Sequence, residues 1–237
     1  MKPPRSLRSL PPWGTKGPFV ALGVRPPLGR PGARPDGSFV YLASQSPRRR
    51  ELLAQIGVRH ELLLAGPDED AESLEAEIAG ELPSVYVERV TRAKLAAARR
   101  RLAVRALPEA PILCADTTVA LGRRILGKPA DAEDAARTLA LLAGKTHRVI
   151  SAVAVASGRR SRLLASVSHV RFARLTTAQI AAYVASGEPF GMAGAYAIQS
   201  AAAAWIERIE GSYTGIMGLP LHETATLLRW AGVVFSP

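Results

Sequence analysis

Apolar residues recur along the chain in two rhythms, and their alternation lays out the elements. Phe39-Val40-Tyr41-Leu42-Ala43 is an apolar run of strand length. Pro47 to Gly57 reads as a short helix with Leu52, Leu53 and Ile56 inward, opened by Ser46 as N-cap and Pro47 in the first helical position. Glu61 to Ala65 is a second strand, residues 83–106 a long helix and Pro111 to Leu121 a buried strand, with Gly122-Arg123-Arg124 as a hairpin turn after it. Asp131 to Ala143 is a helix stopped by Gly144. His147 to Ala156 and Leu163 to Phe172 alternate as paired strands about Gly158-Arg159-Arg160. Thr176 to Ser186 is a helix, Trp205 to Ile209 a short strand, and Leu219 to Ala231 the last helix. Strands and helices alternate and at least one hairpin is antiparallel, so the pattern predicts an α/β fold with a mixed sheet. The longest strand-like apolar run, Val149 to Ala156, is broken by Ser151. It falls far short of the ~20 residues a membrane-spanning helix needs, so no membrane is expected as a partner.

Residues 1–38 break this rhythm. They are rich in Pro, Gly and Arg and show no period, and cannot bury enough apolar surface to offset their ordering entropy. They hold seven Lys and Arg against one acid, Asp36, so +6 of the chain's net +11 sits there and +5 on the other 199 residues. The segment is expected to be a disordered, passive extension, ahead of a transit peptide or a nucleic-acid arm, and residues 39–237 to form the folded domain. The moderate charge of that domain suits an anionic small substrate as well as a nucleic acid. Aromatic residues, at 5%, are not interleaved with basic ones, so nucleic acid is not expected as a partner beyond nonspecific contact by the tail. The single cysteine, Cys114, excludes an intrachain disulfide and suits a reducing compartment.

The chemistry concentrates in a few stretches. In Ser44-Gln45-Ser46-Pro47-Arg48-Arg49-Arg50-Glu51, three arginines fall in the first turn of a helix, where cations oppose the helix dipole. A bound anion removes that conflict, and backbone amides, Ser46 and the guanidinium forks suit phosphate oxygens. Asp116, in Cys114-Ala115-Asp116-Thr117-Thr118, lies on or near the end of an apolar strand. There it either holds a divalent metal or orients a water, or it bonds its own backbone. Glu69, in Pro67-Asp68-Glu69-Asp70, is a hard oxygen ligand suited to Mg²⁺ or Mn²⁺, or part of a solvated acidic loop. Lys94 shares a helical stripe with Tyr86, Val90 and Ala97, and an inward lysine needs a partner or must snorkel. Lys128 sits on the loop Gly127-Lys128-Pro129, within reach of phosphate or simply exposed. Gly191 to Ser200 is a small-residue segment in which the Gln199 amide can read a base edge. No Walker loop, dinucleotide fingerprint or Gly-x-Ser-x-Gly elbow occurs, and the four histidines lack metal-ligand spacing.

In order, Ser44-x-Ser46-Pro47-Arg48-Arg49, Glu69, Lys94, Ala115-Asp116-Thr117, Gly127-Lys128-Pro129, Thr146-His147, Ala193-Gly194-Ala195-Tyr196-x-Ile198-Gln199 and Gly218-Leu219-Pro220 resemble the motifs of the Maf family of nucleotide pyrophosphatases. The resemblance spans residues 39–234. It implies a two-lobed Maf/inosine-triphosphatase-like α/β fold with a mixed sheet and a deep cleft between the lobes, in a cytoplasmic and often dimeric enzyme. It implies Asp116 as catalytic base, Glu69 and Asp116 at a divalent metal, and Arg49, Lys94 and Lys128 on the triphosphate. Base choice maps to Arg48, Thr117 and Gln199, where the sequence looks like the branch that cleaves dTTP and UTP to the monophosphate and pyrophosphate. The sister branch, acting on 7-methyl-GTP, has an aromatic residue after Ser-Pro, Gln after the Asp and Glu for the last Gln. The implied cellular setting is nucleotide-pool housecleaning, with a role in cell-division arrest also attached to the family; a non-enzymatic nucleic-acid-binding or septum-regulating protein is the rival reading. Ala197, Ser200 and Cys114 stand where the family pattern has glycine, each adding a side chain where backbone clearance counts.

Overall fold

The computed structural model describes residues 39–70 and 73–236; the disorder expected of residues 1–38 lies outside the described residues. A seven-stranded mixed sheet organises the chain. Strand β1 (Phe39–Leu42) leads into helix α1 (Pro47–Gln55) and strand β2 (Arg59–Leu62), which returns parallel to β1. Helix α2 (Pro83–Val104) then crosses to β3 (Ile112–Leu121), parallel to β1 on its other side. Everything after β3 is antiparallel: the short β4 (Arg124–Leu126) folds back on it, and β5 (Thr146–Ser157) lies on its opposite edge after helix α3 (Ala132–Leu142). The hairpin of β5 with β6 (Arg160–Phe172) has the expected turn. Helix α4 (Thr177–Ala185) precedes β7 (Ile206–Glu210), and α5 (Tyr213–Met217) and α6 (Leu221–Trp230) end the fold. Strand order is β2-β1-β3-β5-β6-β7 with β4 attached to β3.

Local chemistry explains most boundaries. Asp131 caps α3 by accepting from the Asp134 amide, and Gly144 beyond its end takes φ 67°, where a β-carbon is disfavoured. Thr176 and Gln179 form a reciprocal capping box at α4. Ser46 does occupy the N-cap position of α1, with Pro47 after it, but its side chain makes no capping hydrogen bond. Instead its backbone amide donates to Ser44 Oγ at 3.2 Å. One α-helix was not anticipated: the small-residue stretch before the last helix contains α5, capped by Ser212 Oγ on the Gly215 amide.

Strand β3 positions the site. Along one of its faces Leu113 and Ala115 pack into a buried cluster with Leu53, Leu219 and Leu228. Farther along the same face Val119 joins a second cluster with Leu139, Phe172 and Tyr183. Thr117 falls between the two. On the opposite face α2 covers the sheet, with Tyr86, Val87 and Val90 against Ile150 and Ala152, and Leu95 and Ala98 against Cys114 and Ala154. β1 reaches only as far as Leu113, and β4 begins only at Val119. Between them Cys114 to Thr118 are paired on the β5 side alone among the described strands. This gap in the sheet lets side chains from both faces of β3 reach one pocket.

Candidate active site

The pocket at the gap has a volume of about 610 Å³. Of the nine residues singled out from sequence, eight line it: Ser46, Arg48, Arg49, Lys94, Asp116, Thr117, Lys128 and Gln199. Glu69 is not among the lining residues.

Asp116 sits mid-strand on the α2 face and is buried, at 7% exposed. The Lys94 ammonium, carried inward by α2, donates to Asp116 Oδ1 at 2.6 Å and to Glu75 Oε1 at 2.7 Å. Lys128 reaches the other oxygen of Glu75 at 2.9 Å. An alternating chain of carboxylates and ammoniums, Asp116–Lys94–Glu75–Lys128, thus crosses the pocket. Burial pushes the Glu75 carboxyl up, but Lys94 and then Lys128 outweigh it, and the net shift is downward. The inward lysine therefore has protein partners, and they are carboxylates. Glu75 was not singled out from sequence. It stands in the short 3-10 turn Ser73–Glu75 inside an acidic stretch without a motif, and only its approach to Lys94 distinguishes it. Tyr86 holds the turn in place, its hydroxyl donating to the Glu75 carbonyl at 2.9 Å.

Glu69, expected at the metal, lies outside that chain and pairs with Arg101. Both its oxygens accept from Arg101, at 2.8 Å and 3.1 Å from Nε and 2.7 Å from the terminal nitrogen, and the Gly66 amide donates to Oε1 at 3.2 Å. The Arg101 fork, helped by the Gly66 amide, holds the Glu69 carboxyl down at about 2. This carboxylate anchors the loop after β2 to α2. It is engaged by Arg101 and the Gly66 amide, while Asp116 and Glu75 both accept from the Lys94 ammonium. A pair of hard carboxylates lining one pocket suits Mg²⁺ or Mn²⁺, which commonly take one or two protein carboxylates and fill the remaining positions with water and substrate phosphate. Among the described residues no cluster of three or more His, Cys, Asp or Glu converges, so the donor set is a partial one of that kind.

Arg48 and Arg49 line the same pocket. Arg49 turns back from α1, its Nε donating to the Gly218 carbonyl at 2.8 Å and a terminal nitrogen to Ser44 Oγ at 3.1 Å. Burial lowers its pKa, opposed chiefly by Asp116. Gly218 has φ 114°, and a β-carbon there would come within 3.7 Å of both Arg49 Nε and Thr117 Oγ1. Arg48 is half-buried on the pocket wall and Arg50 exposed. The far wall is the segment Gly191–Gln199. Gly194, at φ 71°, lets that wall close on Val119, whose side chain would stand 2.8 Å from any β-carbon added. Of the three side chains that replace family glycines, none takes a left-handed backbone. Cys114 is sealed beneath α2, and Ser200 caps the 3-10 helix Ala201–Trp205 while bonding the Tyr183 hydroxyl at 2.8 Å. Ala197 alone lines the pocket.

This arrangement offers a carboxylate for a proton, a second carboxylate for a metal, and guanidinium and ammonium groups for a polyphosphate. The family model described as Maf-like protein matches residues 39–231. A protein named dTTP/UTP pyrophosphatase from a Polaromonas species is 61% identical over 199 residues, covering 84% of this chain and 98% of that one. One of the same name from Burkholderia pseudomallei is 62% identical over 205 residues, 86% of this chain and 98% of its own. Another, from Cupriavidus metallidurans, is 61% identical over 198 residues, 84% and 99% of the two chains.

Proposed function

The chain belongs to the Maf family, and from that premise we propose that it hydrolyses dTTP and UTP to the monophosphate and pyrophosphate. The observation that carries this reading is that the Asp116–Lys94–Glu75 cluster and Arg49 line one pocket. The relatives at about 60% identity are named for that reaction, and coverage of nearly their whole length supports carrying it over.

In the proposed mechanism the triphosphate lies between Arg49 and Lys128, with Ser46 and the start of α1 toward its oxygens. Asp116 orients a water against the α-phosphorus and takes its proton. The new bond forms from water oxygen to the α-phosphorus, and the bond from that phosphorus to the bridging oxygen breaks, releasing pyrophosphate. Arg49, Lys94 and Lys128 stabilise the charge that develops on the phosphate oxygens, the main catalytic demand in phosphoryl chemistry. Asp116 and Glu75 are the residues that would hold a divalent ion, which supplies further charge neutralisation to the same oxygens. Arg48, Thr117 and Gln199 surround the base. The proposal includes a cytoplasmic location, where free nucleotides are the substrate, and a homodimer, as the family resemblance implies; light scattering reads the latter directly. Among the described residues no helix is long and apolar enough to cross a membrane.

The test is pyrophosphate release from a panel of nucleoside triphosphates with Mg²⁺, with Mn²⁺ and with chelator. Metal-dependent release favouring dTTP and UTP, with the monophosphate as co-product, is expected. Release of orthophosphate, or none from any nucleotide, overturns the reading.

A further inference from the structure

Thr117 on β3 and Ser151 on β5 stand directly opposite each other in the sheet. They form a polar pair in an otherwise apolar stripe, flanked on the same face by buried Ala115 and Val153 on one side and buried Val119 and Val149 on the other. Ser151 is 1% exposed and has no part in the mechanism above. A buried hydroxyl pair at the seam between two cores calls for a hydrogen-bond account.

That account closes with one solution. Ser151 Oγ lies 2.6 Å from the Gly215 carbonyl oxygen, which can only accept, so the single Ser151 hydrogen is committed there. Thr117 Oγ1 lies 2.7 Å from Ser151 Oγ. With the Ser151 hydrogen spent, the hydrogen in that contact must come from Thr117. Thr117, half-buried on the pocket wall, is then left with lone pairs alone to offer a ligand. Such a group repels phosphate oxygens, which carry lone pairs and no hydrogen at neutral pH. It calls for a ligand atom that donates.

We propose that Ser151 is a positioning residue for base selection: it locks Thr117 as a hydrogen-bond acceptor, and Thr117 accepts the imide N3–H of a uracil or thymine ring. Cytosine presents a bare lone pair at N3, so two acceptors face each other and the contact is lost. A mismatch of this kind costs about tenfold to a hundredfold in kcat/KM. The inference rests on the pyrophosphatase reading for its kinetic form, and on pocket binding alone for its equilibrium form.

The decisive variant is Ser151→Ala. It frees the Thr117 hydroxyl to turn and donate, while the Gly215 carbonyl keeps its bond from the Gly218 amide at 3.0 Å, so the loop is not left unsatisfied. Ser151→Thr retains the hydroxyl and serves as the conservative control. For wild type and both variants, kcat and KM are measured with UTP and CTP, alongside calorimetric binding of the non-hydrolysable α,β-methylene analogues of both. The expected result is a UTP-over-CTP preference that falls about tenfold in Ser151→Ala through KM, with UTP kcat retained, and that returns in Ser151→Thr. Wild type is expected to bind N3-methyl-UTP weakly and 2′,3′-dideoxy-UTP normally. An unchanged UTP:CTP ratio in folded Ser151→Ala overturns the proposal. So does a loss confined to the dideoxy nucleotide, which assigns Thr117 to the sugar. If Ser151→Ala does not fold, Thr117→Val removes the acceptor without adding bulk, and a ratio that survives it is equally fatal. Should wild type release no pyrophosphate yet bind the uracil analogue preferentially, with the preference lost in Ser151→Ala, the reaction reading fails and this inference stands.

Discussion

Lys94 Nζ stands 2.6 Å from Asp116 Oδ1, so a residue on α2 directly positions the carboxylate proposed as the base. The contact holds Asp116 in the gap between β1 and β4, where a ligand can reach it. Asp116→Asn keeps the shape of the side chain and its contact with Lys94 but cannot take a proton from water. It is expected to lower kcat by about 10²- to 10⁴-fold, with nucleotide affinity and thermal midpoint close to wild type. Single-turnover pyrophosphate release and calorimetric nucleotide binding, run on the same preparation, check this. Turnover at the wild-type rate excludes Asp116 as the base.

The two glutamates nominated for metal, one from sequence and one from structure, separate cleanly. Glu75→Gln weakens the partner of both Lys94 and Lys128 inside the pocket. It is expected to reduce kcat/KM at least about tenfold and to raise the metal concentration for half-maximal rate, because a carboxylate proposed for the metal is lost. Glu69→Gln removes the counter-charge of Arg101, which is 8% exposed. It is expected to lower the thermal midpoint and leave the metal dependence unchanged. Metal titrations of activity and melting curves for both variants decide the assignment; a shifted metal dependence in Glu69→Gln alone restores the sequence reading.

What was legible from sequence, and what was not, follows from the range of the interactions. The elements came through because each is written locally: the Ser46-Pro47 start of α1, the Asp131 cap and Gly144 stop of α3, the apolar run of β5 and the alternation along the second half of β6. The pocket's basic residues came through because a basic helix start and an inward lysine each conflict with local preference. The partners that resolve those conflicts are distant in sequence. Arg49 meets Gly218, 169 residues away, and Lys94 meets Glu75 and Asp116, 19 and 22 residues away. Glu69 and Glu75 both lie in acidic, loop-like sequence, and only the path of the chain onto α2 gives one to Arg101 and the other to Lys94. Ser151 did leave a trace, as the polar break in the run from Val149 to Ala156, but its role depends on a carbonyl 64 residues on.

Cys114 lies on β3 two residues before Asp116, yet its thiol is inert by placement. It is 0% exposed, and burial pushes its pKa up to about 12, so the thiolate that reacts with disulfide reagents is scarcely populated at neutral pH. Native protein is expected to show no reaction with an aromatic disulfide reagent over the time in which urea-unfolded protein reacts with one equivalent. Activity is expected to survive prolonged treatment. Rapid labelling of the folded enzyme with loss of turnover contradicts the burial described for β3.

His147 is expected to make stability fall as pH drops. It is 2% exposed, its Nε2 is 2.7 Å from the Tyr196 hydroxyl, and its ring packs edge-on against Phe172 and Tyr196 at 5.0 and 5.4 Å. Nδ1 is buried without a partner among the described residues, so a charged imidazolium there gains no acceptor from them for its second proton. Burial accordingly lowers its pKa from the usual 6.5 to about 4. Between those values the unfolded chain binds a proton that the folded chain refuses, so unfolding is favoured as pH falls. The contribution is fully present above about pH 6.5 and declines through that window, and the accumulated loss is roughly 3 kcal/mol by the folded value. His147→Gln retains an amide for the Tyr196 hydroxyl and does not titrate. Urea denaturation at pH 7.5, 6.5, 5.5 and 4.5 is expected to show stability falling with pH in wild type, and a slope between 6.5 and 4.5 shallower by about one proton in the variant. Glu69, held down at about 2 by Arg101, loses its own contribution from its unfolded value of 4.5 downward, so the two effects meet only at the acid end of the His147 window. Equal slopes in the two proteins place the acid sensitivity elsewhere than in His147.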